Sequence, residues 1–505
     1  MNRSTLVFAI ISLVLAIVIV RYPNEQPGFT DAYYHYNAAV NVATGRGFTD
    51  DYLWTYIGAP DTLPAPSHLY WMPGTTMVAA LGMVIFGANF AAAQLGLVLC
   101  LWGAGLLTYQ LALRQQGKLR HAWAAALLVL FGGFYMRFWG TTDTFAPYLF
   151  FGALALWLTG EAAHRKSWLW WLAAGAACGA GHLVRSDGLL LLLVGLWALV
   201  LLRPISIRQR LQWSSILVVG YLLVMSLWFW RNLSEVSTIL PVGGTQAIWY
   251  VSYDDLFRFP PDASPARLFG SGLGVFINSR LEGISFGLQN LLAIEGFVVL
   301  APFMLGALWQ RRRDLRWGVI GWFALAVHGA FAILFPFPGN RGGLFHAVAA
   351  LMPFWAVLAV MGVDDAVVWI AKRRRNWRPA TAQPIFTTML VVLVIGVSLS
   401  SMLNRRELAA TPSYYTQLQA IIPTGSRVMR NDPAQLYYYT GLGGVVLPNE
   451  RPQVMMFLAE KYQIDYVLFE YPNVPELLYG QTLSDKLVRV PFEAEGVELY
   501  AVRRP

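Results

Sequence analysis

Charge is scarce in this chain. Of its 505 residues, 13% are Asp, Glu, Lys or Arg, about half the share of an ordinary soluble domain. Cysteine is nearly absent. The two present, Cys100 and Cys178, sit inside apolar runs, which excludes a disulfide framework or a cysteine metal site and leaves small buried core residues. Low-complexity tracts and internal repeats are missing. So is a small-residue cleavage site after the first apolar run, Leu6 to Val20, which is followed by Arg21-Tyr-Pro-Asn24. That run reads as an uncleaved first span rather than a removed leader.

Apolar residues are what the chain has, at 56%. They fall in blocks of near-helical span length, the mark of a membrane protein. Backbone polar groups cannot be left open in lipid, so spans are helices or a closed barrel. These blocks are continuous rather than alternating, which selects helices. The fold class expected is a mainly α-helical polytopic membrane protein with about 11 spans: 5–20, 91–113, 121–137, 145–160, 168–183, 187–202, 213–230, 286–309, 317–335, 344–362 and 385–403. The shorter run Met77–Phe86 reads as a juxtamembrane helix on the outer face.

The net charge of +9 does not point to nucleic acid, because the basic residues cluster in short loops between spans. With the N-terminus in the cytoplasm, the inner loops hold Arg114, Lys118 and Arg120; Arg165 and Lys166; Arg203, Arg208 and Arg210; Arg311, Arg312, Arg313 and Arg316; and the run Lys372 to Arg375 with Arg378. That satisfies the positive-inside rule. It predicts a multi-pass protein of the plasma (inner) membrane with an extracytoplasmic C-terminus. Two domains are expected. Residues 1–403 form the membrane domain, with long outer loops at 21–90 and about 231–285. Residues 404–505 form a small α/β extracytoplasmic domain, with strands at Val428-Met-Arg430, Val445-Val-Leu447 and Tyr466-Val-Leu-Phe469 and helices at Thr411–Ile422 and Pro452–Lys461.

Long loops in compact proteins are usually functional. The first carries Phe29-Thr-Asp-Ala-Tyr-Tyr-His-Tyr-Asn37, Ala43-Thr-Gly-Arg-Gly-Phe-Thr-Asp-Asp51 and Pro66-Ser-His-Leu-Tyr-Trp-Met-Pro73. If the first stretch is helical, Asp31 and His35 share a face. A carboxylate there can take a proton from a hydroxyl, and an imidazole can orient it or share a metal. Helix capping is an equally weighted role for Asp31. Asp143, in Gly140-Thr-Thr-Asp-Thr-Phe-Ala-Pro147, stands at the same membrane level from a separate loop, and taken alone it too reads as a cap. Arg46, Arg137, Arg185, Arg231, Arg280 and Arg341 put positive charge on the outer side, against the topogenic preference. Singly, each reads as a snorkelling or ion-paired side chain, Arg185 with Asp187 or Asp143. As a set they suit a phosphate near the headgroups. Trp54, Tyr56, Tyr70 and Trp71 are suited to stacking on sugar rings, or to interface anchoring. Asp31, His35, His68 and Asp143 have the chemistry of metal ligands, but no ligand spacing establishes a site, so a divalent metal stays open and no cofactor is assigned.

The order of these segments resembles the C-type, lipid-sugar-dependent membrane glycosyltransferases, in the bacterial branch related to protein O-mannosyltransferases and the lipid A aminoarabinose transferase (glycosyltransferase family 39-like). The resemblance rests on Asp31 just after span one, Asn41-Val-Ala-Thr-Gly-Arg-Gly-Phe48, His68-Leu-Tyr-Trp-Met-Pro-Gly74, Asp143, Arg185-Ser-Asp-Gly188, Asn340-Arg-Gly-Gly-Leu-Phe-His346 and Leu351-Met-Pro353. It covers about the first 360 residues. It implies a polyprenyl-phosphate sugar donor, an acceptor hydroxyl on a glycan, lipid or protein, Asp31 as general base and Asp143 in support. Phosphate contact falls to Arg341, Arg185 and Arg46, and the surrounding substrate site to Tyr34, His35, His68 and Tyr70. The chain departs from the mannosyltransferases in having Ala32 after Asp31, where they have a glutamate. It also has Met72 before Pro73, where some relatives have a lysine.

Asp31-Ala-Tyr-Tyr-His-Tyr36 is similar as well to the first-loop motif of oligosaccharyltransferases, whose aspartate binds a divalent metal. Their Trp-Trp-Asp-Tyr-Gly motif is absent here. A transporter or flippase is a further alternative, but transporters place ionisable residues near the midplane and often repeat their halves. A non-catalytic envelope-assembly scaffold is the last.

Overall fold

The computed structural model describes residues 3–374, 376–403 and 414–503. Long apolar segments become helices because only intrahelical hydrogen bonds satisfy a backbone in lipid. The first nine are α1 (Arg3–Arg21), α2 (Thr30–Ala43), α3 (Gly74–Phe86), α4 (Phe90–Gln116), α5 (Leu119–Phe131), α6 (Phe145–Arg165), α7 (Trp168–Val184), α8 (Leu189–Leu201) and α9 (Ile207–Val236). Local chemistry sets their ends. The Asn89 side chain accepts from the Ala92 amide to start α4, and Ser206 with Gln209 forms a reciprocal capping box at the start of α9.

Later helices span Leu273–Gln289, Ala301–Arg311, Leu315–Gly329, Met352–Ala371 and Pro379–Leu403. Among the described residues, seven helical segments are long and apolar enough to cross a membrane, and three more are shorter and apolar. The chain is a polytopic helical membrane protein. The Met77–Phe86 run is helical as expected, beginning at Gly74.

Two expected spans are not continuous. In 121–137 the α-helix stops at Phe131, where Gly132 and Gly133 take φ of 66° and 60°, and a tighter turn follows over Gly133–Phe138. Between 286 and 309 the helix Leu273–Gln289 runs into a π-turn over Asn290–Glu295 and breaks. Phe297 and Val298 take positive φ of 45° and 70°, and helix resumes only at Ala301. Pro302 accounts for the restart, since it lacks an amide donor and suits the first helical turn. The break leaves Glu295 fully buried, accepting from Trp355 Nε1 at 2.7 Å and 2.8 Å from His328 Nε2. The second long loop is also shorter than expected, because α9 runs on to Val236 and the next long helix starts at Leu273.

Two of the basic turns are tied to acids of the helix Met352–Ala371. Arg120 and His121 at the start of α5 bind Asp364, His121 at 2.7 Å, and Arg311 binds Asp365 at 3.0 Å. Arg375, expected in the last basic turn, lies outside the described residues.

The C-terminal region forms a six-stranded sheet. Its strands are β4 (Val428–Arg430), β5 (Gly444–Val446), β6 (Tyr466–Glu470), β7 (Leu487–Val490) and β8 (Val497–Val502), with an added strand from the first loop, β2 (Tyr52–Leu53). The order is β2-β5-β4-β6-β8-β7. β2 runs parallel to β5, with Tyr52 opposite Gly444 and Leu53 opposite Val445. A small antiparallel pair, β1 (Thr49–Asp50) with β3 (Ala65–Pro66), shapes the loop beside it. The expected helix at Pro452–Lys461 is present. The one expected from Thr411 is described at Tyr415–Ile421, residues 411–413 lying outside the described residues. Leu53, Tyr56, Leu63 and Ala65 of the first loop share one apolar core with Met429, Val445 and Met455. Loop and C-terminal region therefore bury their apolar surface jointly.

Candidate active site

Short loops from distant parts of the chain converge on a cavity of about 340 Å³. Asp31 enters it from the first turn of α2. Asp143 comes from the turn before α6, Arg185 and Asp187 from the link between α7 and α8, and Arg341 and His346 from the segment ahead of Met352. Leu189, Leu190 and Leu193 of α8, with Phe331 and Leu334, make an apolar wall. Leu193 and Leu334 are 50% and 45% exposed, so this wall opens toward the lipid-facing surface.

The acidic pair is tightly placed. Asp143 Oδ1 accepts from the Thr144 amide at 2.5 Å, and Thr142 Oγ1 donates to the Ala32 carbonyl at 2.7 Å, pinning the turn to α2. Asp143 Oδ2 is buried with no hydrogen-bond partner and lies 3.6 Å from His346 Nδ1. One ligand atom each from Asp31, Asp143 and His346 falls within 4.8 Å of the others. Burial, then the neighbouring Asp143 and Asp432 carboxylates, push Asp31 well above the usual carboxylate range, with Arg185 pulling back. Burial likewise raises Asp143, while the Thr144 amide and Arg185 oppose it.

The two cavity arginines differ. Arg185 grips Asp187 through Nε and Nη2 at 2.9 and 3.0 Å, and its Nη2 also donates to the Gly343 carbonyl at 3.0 Å. Arg341 has no carboxylate partner among the described residues. Its guanidinium lies 5.1 Å from the ring centre of Tyr253. It is aimed by a kink: Arg341 itself is non-helical, and Gly342 takes φ of 107°, a conformation glycine alone adopts without cost. Trp54 and Trp71 stack at 3.8 Å, with Tyr70 edge-on to both, and all three line the cavity with Asp31.

Other residues expected at a substrate site are placed elsewhere. Arg46 pairs with Asp51 at 2.8 Å and reaches Asn41 and Tyr437, holding the first loop to the C-terminal region away from the cavity lining. His35 follows Asp31 by one helical turn, as expected, but does not line the cavity. It is fully buried, with Nδ1 at 3.0 Å from Thr76 Oγ1, and burial drops its pKa to about 3. His68 donates from Nδ1 to the Trp71 carbonyl at 3.2 Å, and burial, His35 and Arg231 hold it well below the usual range. Tyr34 donates to Asp50 at 2.8 Å and accepts from the His68 amide at 2.6 Å. Tyr56 donates to the Val446 carbonyl at 2.5 Å. These groups build the scaffold beneath the cavity. His346, not Asp31's helical neighbour, completes the cluster. The string ending in His346 stands out in the sequence, but only the fold shows what the histidine meets.

Comparison with known proteins fits this geometry. Residues 71–230 match the family model described as dolichyl-phosphate-mannose-protein mannosyltransferase. No curated protein sequence matches the chain. Among solved structures, ArnT from Cupriavidus metallidurans bound to undecaprenyl phosphate aligns at TM-score 0.57 and 15% identity, over 98% of this chain and 97% of that one. The oligosaccharyltransferase of Archaeoglobus fulgidus aligns at TM-score 0.60 and 13% identity, over 92% of this chain and 69% of that one. Its complex with Zn and sulfate aligns at 0.59 and 15%, over 91% and 67%. The chain is a polytopic membrane protein that shares the fold of ArnT and of the Archaeoglobus fulgidus oligosaccharyltransferase, and its residues 71–230 match the mannosyltransferase family model.

Proposed function

We propose that this protein moves a sugar from a polyprenyl-phosphate donor to an acceptor hydroxyl. The observation that carries this reading is one cavity with a carboxylate of raised pKa on one wall, an arginine without a carboxylate partner on another, and an apolar wall that opens laterally. The prenyl chain lies along Leu189, Leu190 and Leu193, and its phosphate meets Arg341, with Arg185 adding charge. The acceptor enters past Trp54, Tyr70 and Trp71. Asp31 takes the hydroxyl proton as the oxygen attacks the anomeric carbon. Attack comes from the face opposite the phosphate, the sugar–phosphate bond breaks with its electron pair staying on the phosphate, and configuration inverts. A phosphate is already a good leaving anion, so one base and cationic stabilisation suffice. The basic turns face the cytoplasm and the cavity faces outward from the plasma membrane.

A second reading keeps this chemistry and adds a divalent cation. Asp31, Asp143 and His346 supply two carboxylates and an imidazole, a donor set that suits such an ion, and the unpartnered buried Asp143 Oδ2 is what a metal would satisfy. When bound, it would supply positive charge to stabilise the departing phosphate.

One experiment tests both. A panel of radiolabelled polyprenyl-phosphate sugars is given to membranes bearing wild-type protein or Asp31→Asn, with an acceptor-rich envelope extract, before and after chelation. Turnover by wild type and loss of at least about 100-fold in the variant is expected. An active Asp31→Asn enzyme removes the base assignment, and full activity after chelation removes the metal.

A further inference from the structure

The C-terminal region makes three side-chain bonds to one side of α2, the helix that carries Asp31. Thr30 Oγ1 donates to Asp432 Oδ2 at 2.7 Å. The Tyr33 and Tyr439 hydroxyls meet at 3.0 Å. Asn37 Nδ2 donates to the Ala434 carbonyl at 2.9 Å. Positions 30, 33 and 37 recur at helical spacing and form a single face. The Ala32 carbonyl is held by Thr142 of the membrane domain instead.

The first of these bonds matters most for the site. Helix starts leave amide groups unsatisfied, and a capping side chain normally takes one of them. α2 has no such cap: its N-cap position is Phe29, which offers no side-chain acceptor. Its first turn, which holds Asp31, is secured instead through Thr30. Asp432 is itself committed, because its other oxygen caps the helix Pro433–Thr440 by accepting from the Gln435 amide at 3.0 Å. One carboxylate therefore joins the starts of two helices, one in each part of the molecule.

We infer that Asp432 is a positioning residue for the reaction, acting through Thr30 to hold the first turn of α2 so that Asp31 faces Asp143 and His346. The C-terminal region is then part of the catalytic architecture rather than a cover over it. This rests on the reading of Asp31 as the base, so the test separates the two.

The variants are Thr30→Val, which keeps the shape and removes the donor, Thr30→Ser, which keeps the hydroxyl, Asp432→Ala, and the Thr30→Val/Asp432→Ala double. Each is made in the full chain in nanodiscs and assayed with the radiolabelled donor that the wild type turns over, beside Asp31→Asn. Thr30→Val is expected to lower kcat about tenfold or more with donor KM within about twofold, Thr30→Ser to restore it, and the double to lose no more than Asp432→Ala alone. Amide exchange over residues 31–33 should accelerate in Thr30→Val and not in Thr30→Ser, with α7 unchanged. A dead Asp31→Asn beside a Thr30→Val enzyme of wild-type kcat overturns the positioning role alone. So does failure of Thr30→Ser to rescue. An active Asp31→Asn, or no turnover of any donor by wild type, overturns the base and this inference together.

Discussion

Replacing Arg341 by alanine separates substrate binding from stability. Its guanidinium makes no ion pair among the described residues and rests over Tyr253, so little in the fold depends on it. What it offers is charge-assisted hydrogen bonding to a donor phosphate. Such bonds are worth about 1.5–3 kcal/mol, which is about 10- to 150-fold in donor KM. Arg341→Lys keeps the charge and loses the planar fork, so it should fall between alanine and wild type. Arg185→Ala is the contrast. It strands Asp187, now held by the guanidinium and 12% exposed at its side chain, so stability should drop by a few kcal/mol together with activity. The assay pairs donor KM and kcat in nanodiscs with thermal unfolding in the same lipid. An Arg341→Ala enzyme with donor KM within about twofold of wild type would refute the phosphate assignment. One that loses stability as Arg185→Ala does would show that Arg341 is structural.

Two further outcomes are expected. Burial pushes the Asp50 carboxyl up to about 7 against the Tyr34 hydroxyl and Arg231, while an unfolded aspartate titrates near ~3.9. Between those values the folded chain holds a proton that the unfolded chain has lost, so stability falls as pH rises toward 7 and levels off above it. Asp50→Asn should flatten that slope in Tm measured from pH 5 to 8, and parallel curves would count against the raised pKa. In the sheet, Gly444 has φ of 143°, and an added Cβ would sit 1.9 Å from the Val428 carbonyl oxygen. Gly444→Ala should cost more than about 4 kcal/mol and expose the C-terminal region to protease. A variant with wild-type protease resistance would contradict the strand register.

Most of the membrane helices are legible in the sequence because lipid imposes one rule on every span: apolar side chains and internally bonded backbone. The interruption around Glu295 shows the limit. Gly296 and Pro302 sit inside an apolar run that hydropathy reads as continuous, whereas backbone geometry decides where the helix stops. In the site, local relations carry over. Arg185 and Asp187 are two residues apart and do pair. Asp31 and Asp143 do share a cavity, as their common membrane level suggests. Long-range relations do not carry over in the same way. His35 is a helical turn from Asp31, yet it turns into the scaffold, while His346 arrives from the far side of the chain. Strand β2, at two residues, is too short for any periodicity to reveal.

That short strand also fixes an order of events in synthesis. Tyr52 and Leu53 leave the ribosome early, but their partners Gly444 and Val445 follow roughly 400 residues later, about 20–80 s at ordinary elongation rates. Until then the loop bearing Asp31 lacks its strand neighbour, its shared core and the Asp432 contact. Every span between them must be made before the loop can close. A chain truncated after Leu403 keeps the described membrane helices and still leaves its first loop unfinished, so possession of an assembled site reports that translation has passed strand β5.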